Sequence, residues 1–324
     1  MDSRGDIQKY RGCLFGLAVG DALGAPVEFL SLAEIKARYG ENGIADFHEW
    51  KTLEAEFKPG FYTDDTQMSL ATALGCLKAY RNQKEGRIFE PAAEVYKYYL
   101  EWLATQNDPN QKRAPGITCL SALRSGKMGT IEKKLNNSKG CGGVMRTAPA
   151  GLVFPSDNAF RRGAEFAAIT HGHPSGYLSA GFLSEMIAHI IGGKQLEDAI
   201  ERSIRTLKTY EGHEETLSFV QRALTLSAGK DPVEDSIAAI GEGWFGEEAL
   251  AIALYCCLKF PNDWKSGTLA AINHSGDSDS TSSITGAILG TLLGIESIPN
   301  KWVQGVENAE TIQKISEELF EIRP

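Results

Sequence analysis

Two short stretches of this 324-residue chain set carboxylates beside hydroxyls just ahead of an apolar run. The first is Thr63-Asp64-Asp65-Thr66, directly after the turn Lys58-Pro59-Gly60 and directly before Met68 to Leu77. The second is Asn273-His274-Ser275-Gly276-Asp277-Ser278-Asp279-Ser280-Thr281, which again leads into an apolar, glycine-spaced segment. Each reads as a loop entering a helix, where Thr and Asp cap orphan backbone NH groups and acidic side chains suit the positive end of the helix dipole. Capping needs one such residue, and adjacent carboxylates repel unless a cation lies between them. The oxygen donors of both clusters suit Mg²⁺ or Mn²⁺ rather than thiophilic ions. If the clusters converge, their four carboxylates can hold two cations about 3.5–4 Å apart, the spacing at which a bridging water becomes a good nucleophile at neutral pH.

Three further elements carry candidate chemistry. Ser138-Lys139-Gly140-Cys141-Gly142-Gly143-Val144-Met145-Arg146 concentrates small residues whose backbone NH groups can approach a diphosphate, with an ordinary turn as the alternative. Glu28, in Gly24-Ala25-Pro26-Val27-Glu28-Phe29, reads on its own as a surface glutamate. His171 and His173 have no third His or Cys at zinc spacing, so they stand either at a pocket wall or at a helix terminus. No GxSxG elbow occurs, and no cysteine has an evident histidine partner, which leaves a Ser or Cys nucleophile without support.

The elements that must position these residues are helical. Ala92 to Leu103, Ala164 to Ile169, Leu178 to Ile191, Glu247 to Leu258 and Thr311 to Ile322 show helical periodicity, and runs of β-branched residues are nearly absent. Turn-forming residues mark loops at 38–43, 58–60, 107–116, 136–143, 172–176 and 273–279. No composition break or long linker divides the chain, so one all-α domain spanning 1–324 is expected. Gly12, Gly16, Gly20 and Gly24 stand four apart, as do Gly286, Gly290 and Gly294, and each set forms a smooth stripe on one helix face. Helical glycine costs about 1 kcal/mol relative to alanine, which close backbone packing would offset.

Charge and cysteine content remove other classes. With 33 basic and 42 acidic residues the formal charge is -9, and the basic doublets Lys133-Lys134 and Arg161-Arg162 read as solvated helix faces, so nucleic acid is not an expected partner. Six dispersed cysteines without CxxC spacing read as reduced, mostly buried thiols. The apolar run Cys13 to Val19 is short and Asp21 and Glu28 follow it, so neither a signal peptide nor a spanning helix is expected, and a cytoplasmic location is.

Taken together, these residues resemble the ADP-ribosylglycohydrolase family, also called DraG-like or ADP-ribosyl-acceptor hydrolases. The resemblance is carried by GCLFGLAVGDALGAPVEF (Gly12 to Phe29), YTDDTQM (Tyr62 to Met68), RAPGITCLSAL (Arg113 to Leu123) and SKGCGGVMRTAP (Ser138 to Pro149). It continues through ITHGHP (Ile169 to Pro174), EGWFGEEALAIALYC (Glu242 to Cys256) and NHSGDSDST (Asn273 to Thr281). It implies a compact all-α fold with a two-metal centre in a cleft, occupied by two divalent cations, Mg²⁺ or Mn²⁺. Carried over residue by residue, the ligands are Thr63, Asp64, Asp65, Asp277, Asp279 and Ser280, and Glu28, Asp64 and Asp65 are the catalytic carboxylates. The resemblance further places Gly140, Cys141, Gly142, Gly143 and Val144 against the phosphates or distal ribose, and His171 near the substrate. Where many relatives have glycine after SDST, this chain has Ser282, a change expected to alter packing more than chemistry.

The implied reaction is hydrolysis of the bond between ADP-ribose and a protein side chain. The HSGDSDST form is most similar to arginine-specific bacterial members. The expected partners are an ADP-ribosylated protein, ADP-ribose as product, and a cognate ADP-ribosyltransferase toxin if the chain confers immunity. Two alternatives stand beside this: an ADP-ribose-binding or toxin-occluding protein that needs no turnover, and a hydrolase of serine-linked or other conjugates.

Overall fold

Helices account for nearly all regular structure in the computed structural model, which describes residues 3–322. They run α1 (Ser3–Gly24), α2 (Leu32–Tyr39), α3 (Asp64–Lys84), α4 (Pro91–Thr105), α5 (Ile117–Arg124), α6 (Ala148–Val153), α7 (Ser156–Ala168) and α8 (Pro174–Ile191). The second half adds α9 (Leu196–Leu207), α10 (Glu214–Ser227), α11 (Val233–Ile240), α12 (Gly246–Lys259), α13 (Trp264–Ile272), α14 (Ser278–Leu293), α15 (Asn300–Gly305) and α16 (Ala309–Glu321). The five periodic segments fall in α4, α7, α8, α12 and α16. The one sheet among the described residues is a hairpin of β1 (Trp50–Lys51) and β2 (Glu56–Phe57). Its strands are too short to show alternation, and it is held by the stacked Trp50 and Phe57 rings, 4.3 Å apart, in a small satellite core with Ala25.

Burial follows the residue pattern. In α8 and α12 almost every side chain is enclosed, as expected for helices that are apolar all round. The outer α9 buries Leu196, Ala199, Ile200, Ser203 and Leu207 on one face and pairs Arg202 with Asp198 on its flank. On α7, Arg161 is exposed and Arg162 half-buried, both paired with Glu165, whereas Lys133-Lys134 lies in a turn outside any helix.

The two glycine stripes meet. α1 and α14 form the most extensive helix pair, and a Cβ placed on Gly12, Gly16 or Gly20 would stand only 2.0, 2.1 or 2.3 Å from the carbonyl oxygens of Gly290, Gly286 and Ser282. Backbone therefore packs on backbone, the compensation that such glycine-rich helices require. Ser282 continues this seam, its hydroxyl lying 2.7 Å from Gly20 O and 2.6 Å from Ser278 O. At the far end, a Cβ on Gly24 would fall 2.6 Å from the Cα of Asp279. The seam thus runs into the second aspartate loop.

Candidate active site

Thr63 caps α3, its hydroxyl accepting from Asp65 N at 3.2 Å. The loop is fixed from below by Asp21, a wholly buried carboxylate of α1 that accepts from Thr63 N and Thr66 N at 2.9 Å and from the Thr66 hydroxyl at 2.5 Å. Burial pushes the Asp21 carboxyl up to about 6 against the pull of these donors. It is fixed from the side by Arg113, whose guanidinium donates to Tyr62 O and pairs with Glu307, and whose own carbonyl accepts from Asp64 N at 3.1 Å. With the cap supplied by Thr63, Asp64 and Asp65 are buried and each keeps an Oδ2 that no donor reaches.

Asp277 caps α14 through Oδ1, which accepts from Ser280 N at 3.3 Å, while its Oδ2 accepts from the Cys141 thiol at 2.7 Å. Its backbone NH is held by Glu242 O. Asp279, one residue into the helix and delivered by the glycine seam, is buried with Oδ1 unpartnered. His274 steadies the loop from behind, with Nε2 2.8 Å from the Thr281 hydroxyl.

The two loops and Glu28 form one acidic centre. Burial raises the pKa values of Glu28, Asp64, Asp65 and Asp279, and the charges that add to it are carboxylates: Asp277, Asp64 and Asp21 on Glu28; Asp21 and Asp277 on Asp64; Asp21, Asp64 and Asp277 on Asp65; Glu28, Asp65, Asp277 and Asp21 on Asp279. Among the described residues, no three His, Cys, Asp or Glu side chains close a ready-made cage for an ion. The chemistry of the donor set nonetheless fits divalent cations: three buried carboxylate oxygens lack any donor, and concentrated like charge calls for a cation between them.

Glu28 is half-buried because one side faces a cavity of about 980 Å³. Phe29, Pro26, Trp50, Lys112 and Ile117 are among the other lining residues. Of the candidate site residues, Glu28 alone lines this cavity, so its surface reading gives way to a position between cavity and aspartates.

The glycine loop stands on the other side of Asp277. Cys141 N donates to Trp244 O, Gly140 pairs with Phe245 in an isolated bridge, and Lys139 binds Glu215 and Glu247 at 2.6 and 2.7 Å. The loop continues as a 3₁₀ turn over Cys141–Arg146 rather than as open coil. Of the cysteines, all free, Cys141 alone is partly accessible. His171 backs the loop, its Cε1 lying 3.1 Å from where a Cβ on Gly142 would stand. Burial and the nearby Arg146 lower its pKa to about 3, which leaves it neutral. His173 instead caps α8, accepting from Ser175 N at 3.1 Å. The histidine alternatives thus separate, one behind the loop and one at a helix terminus.

Asp21 and Arg113 are the positioning residues that sequence reasoning missed. A lone carboxylate in an apolar, glycine-striped helix was a signal for Asp21. None marked the Arg113–Glu307 pair, whose partners lie 194 residues apart.

Known proteins resemble the chain along nearly its whole length. The chain is 28% identical over 305 residues to the ADP-ribosyl-[dinitrogen reductase] glycohydrolase of Rhodospirillum rubrum, covering 91% of this chain and 89% of that one. It is 26% identical to the ADP-ribosylarginine hydrolase Tri1 of Serratia proteamaculans, over 98% of this chain and 80% of the relative. A solved chain described as an ADP-ribosylglycohydrolase-related protein complex shares the fold with a TM-score of 0.73 at 23% identity, covering 99% of this chain and 100% of that chain. No helix among the described residues is long and apolar enough to cross a membrane. The description ADP-ribosylglycohydrolase matches residues 2–324, and the chain belongs to that family of ADP-ribosyl hydrolases.

Proposed function

We propose that the chain releases ADP-ribose from modified arginine side chains of proteins in a divalent-cation-dependent hydrolysis. The observation that carries this reading is the meeting of two aspartate loops and Glu28 in one buried acidic centre beside a cavity. The arginine side is supported by the HSGDSDST sequence and by likeness to a relative named as an ADP-ribosylarginine hydrolase.

Thr63, Asp64, Asp65, Asp277, Asp279 and Ser280 would hold the two cations, Mg²⁺ or Mn²⁺, which when bound supply Lewis-acid polarisation of the ribose hydroxyls. The chain's own groups do the rest. A carboxylate, Asp65 or Glu28, takes a proton from the attacking water as its oxygen bonds to the anomeric carbon. The carbon–nitrogen bond breaks with its electron pair passing to the guanidine, and oxocarbenium-like charge develops on the sugar. Gly140, Cys141, Gly142, Gly143 and Val144 offer backbone to the diphosphate or distal ribose, and neutral His171 supports them from behind.

Peptides mono-ADP-ribosylated on arginine or on serine test the reading directly. Release from the arginine conjugate is expected, and release from serine alone overturns the arginine assignment. Full turnover after EDTA treatment overturns the cation dependence. In cells expressing an arginine-directed ADP-ribosyltransferase toxin, the wild type should protect and Asp65→Ala should not; equal protection by both would make the chain an occluding protein.

A further inference from the structure

Phe29 is an aromatic residue held where aromatic residues rarely settle. Its φ is 71°, in the left-handed region that disfavours bulky side chains, and the ring is 67% exposed. Strain of this kind persists only where surrounding structure imposes it, and it clusters at sites that bind or react. Here the imposing contacts are visible. Phe29 N donates to Gly276 O at 3.3 Å, and the ring stacks on Trp244 with centroids 5.3 Å apart and planes at 18°. Trp244 is itself fixed, its indole NH donating to Glu242 at 3.0 Å and its carbonyl accepting from Cys141 N.

The pair therefore bridges the two sides of the acidic centre, from the Glu28 loop to the segment that braces the glycine loop. Phe29 and Glu28 both line the cavity. An exposed ring stacked on an indole, on segments that also carry the acidic residues Glu28, its chain neighbour, and Glu242, which holds the indole NH, is a receptor for a flat cation. The cavity as a whole has no such bias, because the cations Arg38, Lys51, Lys58 and Lys112 are matched there by Glu28, Glu49, Glu54 and Glu56. The preference is local to the rings.

We infer that Phe29, backed by Trp244, is the platform for the guanidinium group of the acceptor arginine, and so sets the acceptor side of specificity. This rests on the proposed arginine-directed hydrolysis. An N-glycosylated guanidinium keeps its positive charge and its plane, so it suits the ring face, whereas a serine O-glycoside offers neither.

The test uses the full chain and a peptide mono-ADP-ribosylated on arginine, with free ADP-ribose binding measured in parallel. Phe29→Leu should raise KM for the peptide about 5- to 30-fold, the range of a cation–aromatic contact, with kcat and the ADP-ribose Kd unchanged. Phe29→Tyr, which keeps the ring, should restore the wild-type KM, and Trp244→Leu should shift KM in the same direction as Phe29→Leu. An unchanged KM in Phe29→Leu overturns the platform. A matching loss of ADP-ribose affinity also overturns it, because the ring would then serve the nucleotide. Failure of the wild type to cleave the arginine conjugate removes the underlying reading as well, and is seen without any variant.

Discussion

At the start of α3 a threonine caps the helix, whereas at the start of α14 an aspartate does. The consequence is a different division of labour between two loops that place acidic and hydroxyl residues at the same kind of junction. In the first loop both carboxylates keep an oxygen free of donors. In the second, Asp277 spends one oxygen on Ser280 N and the other on the Cys141 thiol, and Asp279 alone keeps an orphan. Their supports differ as well. Asp21 and Arg113 hold the first loop; the second rests on the glycine seam, with His274 steadying it from behind. Which residue supplies the cap decides which carboxylate oxygens remain without a donor.

The largest effects should come from the orphaned carboxylates themselves. Asp65→Ala and Asp279→Ala are each expected to lower turnover by about 10²–10⁴-fold while leaving the circular dichroism spectrum unchanged. Near-normal rates in either variant would mean that an unpartnered oxygen does not mark a working group. Next comes the support of the first loop: Asp21→Asn keeps the shape but cannot accept all its donors, and should weaken Mg²⁺ or Mn²⁺ binding by about 10–100-fold in calorimetry. If affinity holds, Asp21 serves stability alone. The smallest effect probes the support of the second loop. Gly24→Ala forces a methyl against the Asp279 backbone and should cost about 1–3 kcal/mol in thermal unfolding, and an unchanged Tm would show that the seam yields.

What was legible in sequence is what depends on neighbours along the chain. Capping chemistry is local, so both loop-to-helix junctions were readable, and so were α8 and α12, whose residues keep helical periodicity along the chain. Glycine spacing revealed two smooth faces but not that each fills the other, because the pairing brings together residues more than 250 positions apart. Asp21 stood out as a lone carboxylate, but its partners did not, for the same reason: its donors belong to another element, 42 and 45 residues away. The hairpin escaped because two-residue strands carry no period, and Trp50 with Phe57 reads equally well as scattered aromatics.

The seam between α1 and α14 also sets an order of events during synthesis. A nascent chain acquires Asp64 and Asp65 early, yet the helix that must lie against α1 follows only after most of the molecule has been translated. Until then one glycine face has no partner, and the contacts that would satisfy it are among the most distant in the chain. Loop-closure entropy makes pairings of such sequence separation slow to form. A ribosome stalled before residue 277 would therefore hold a chain with the first aspartate loop but neither aspartate of the second, and with α1 lacking its partner helix.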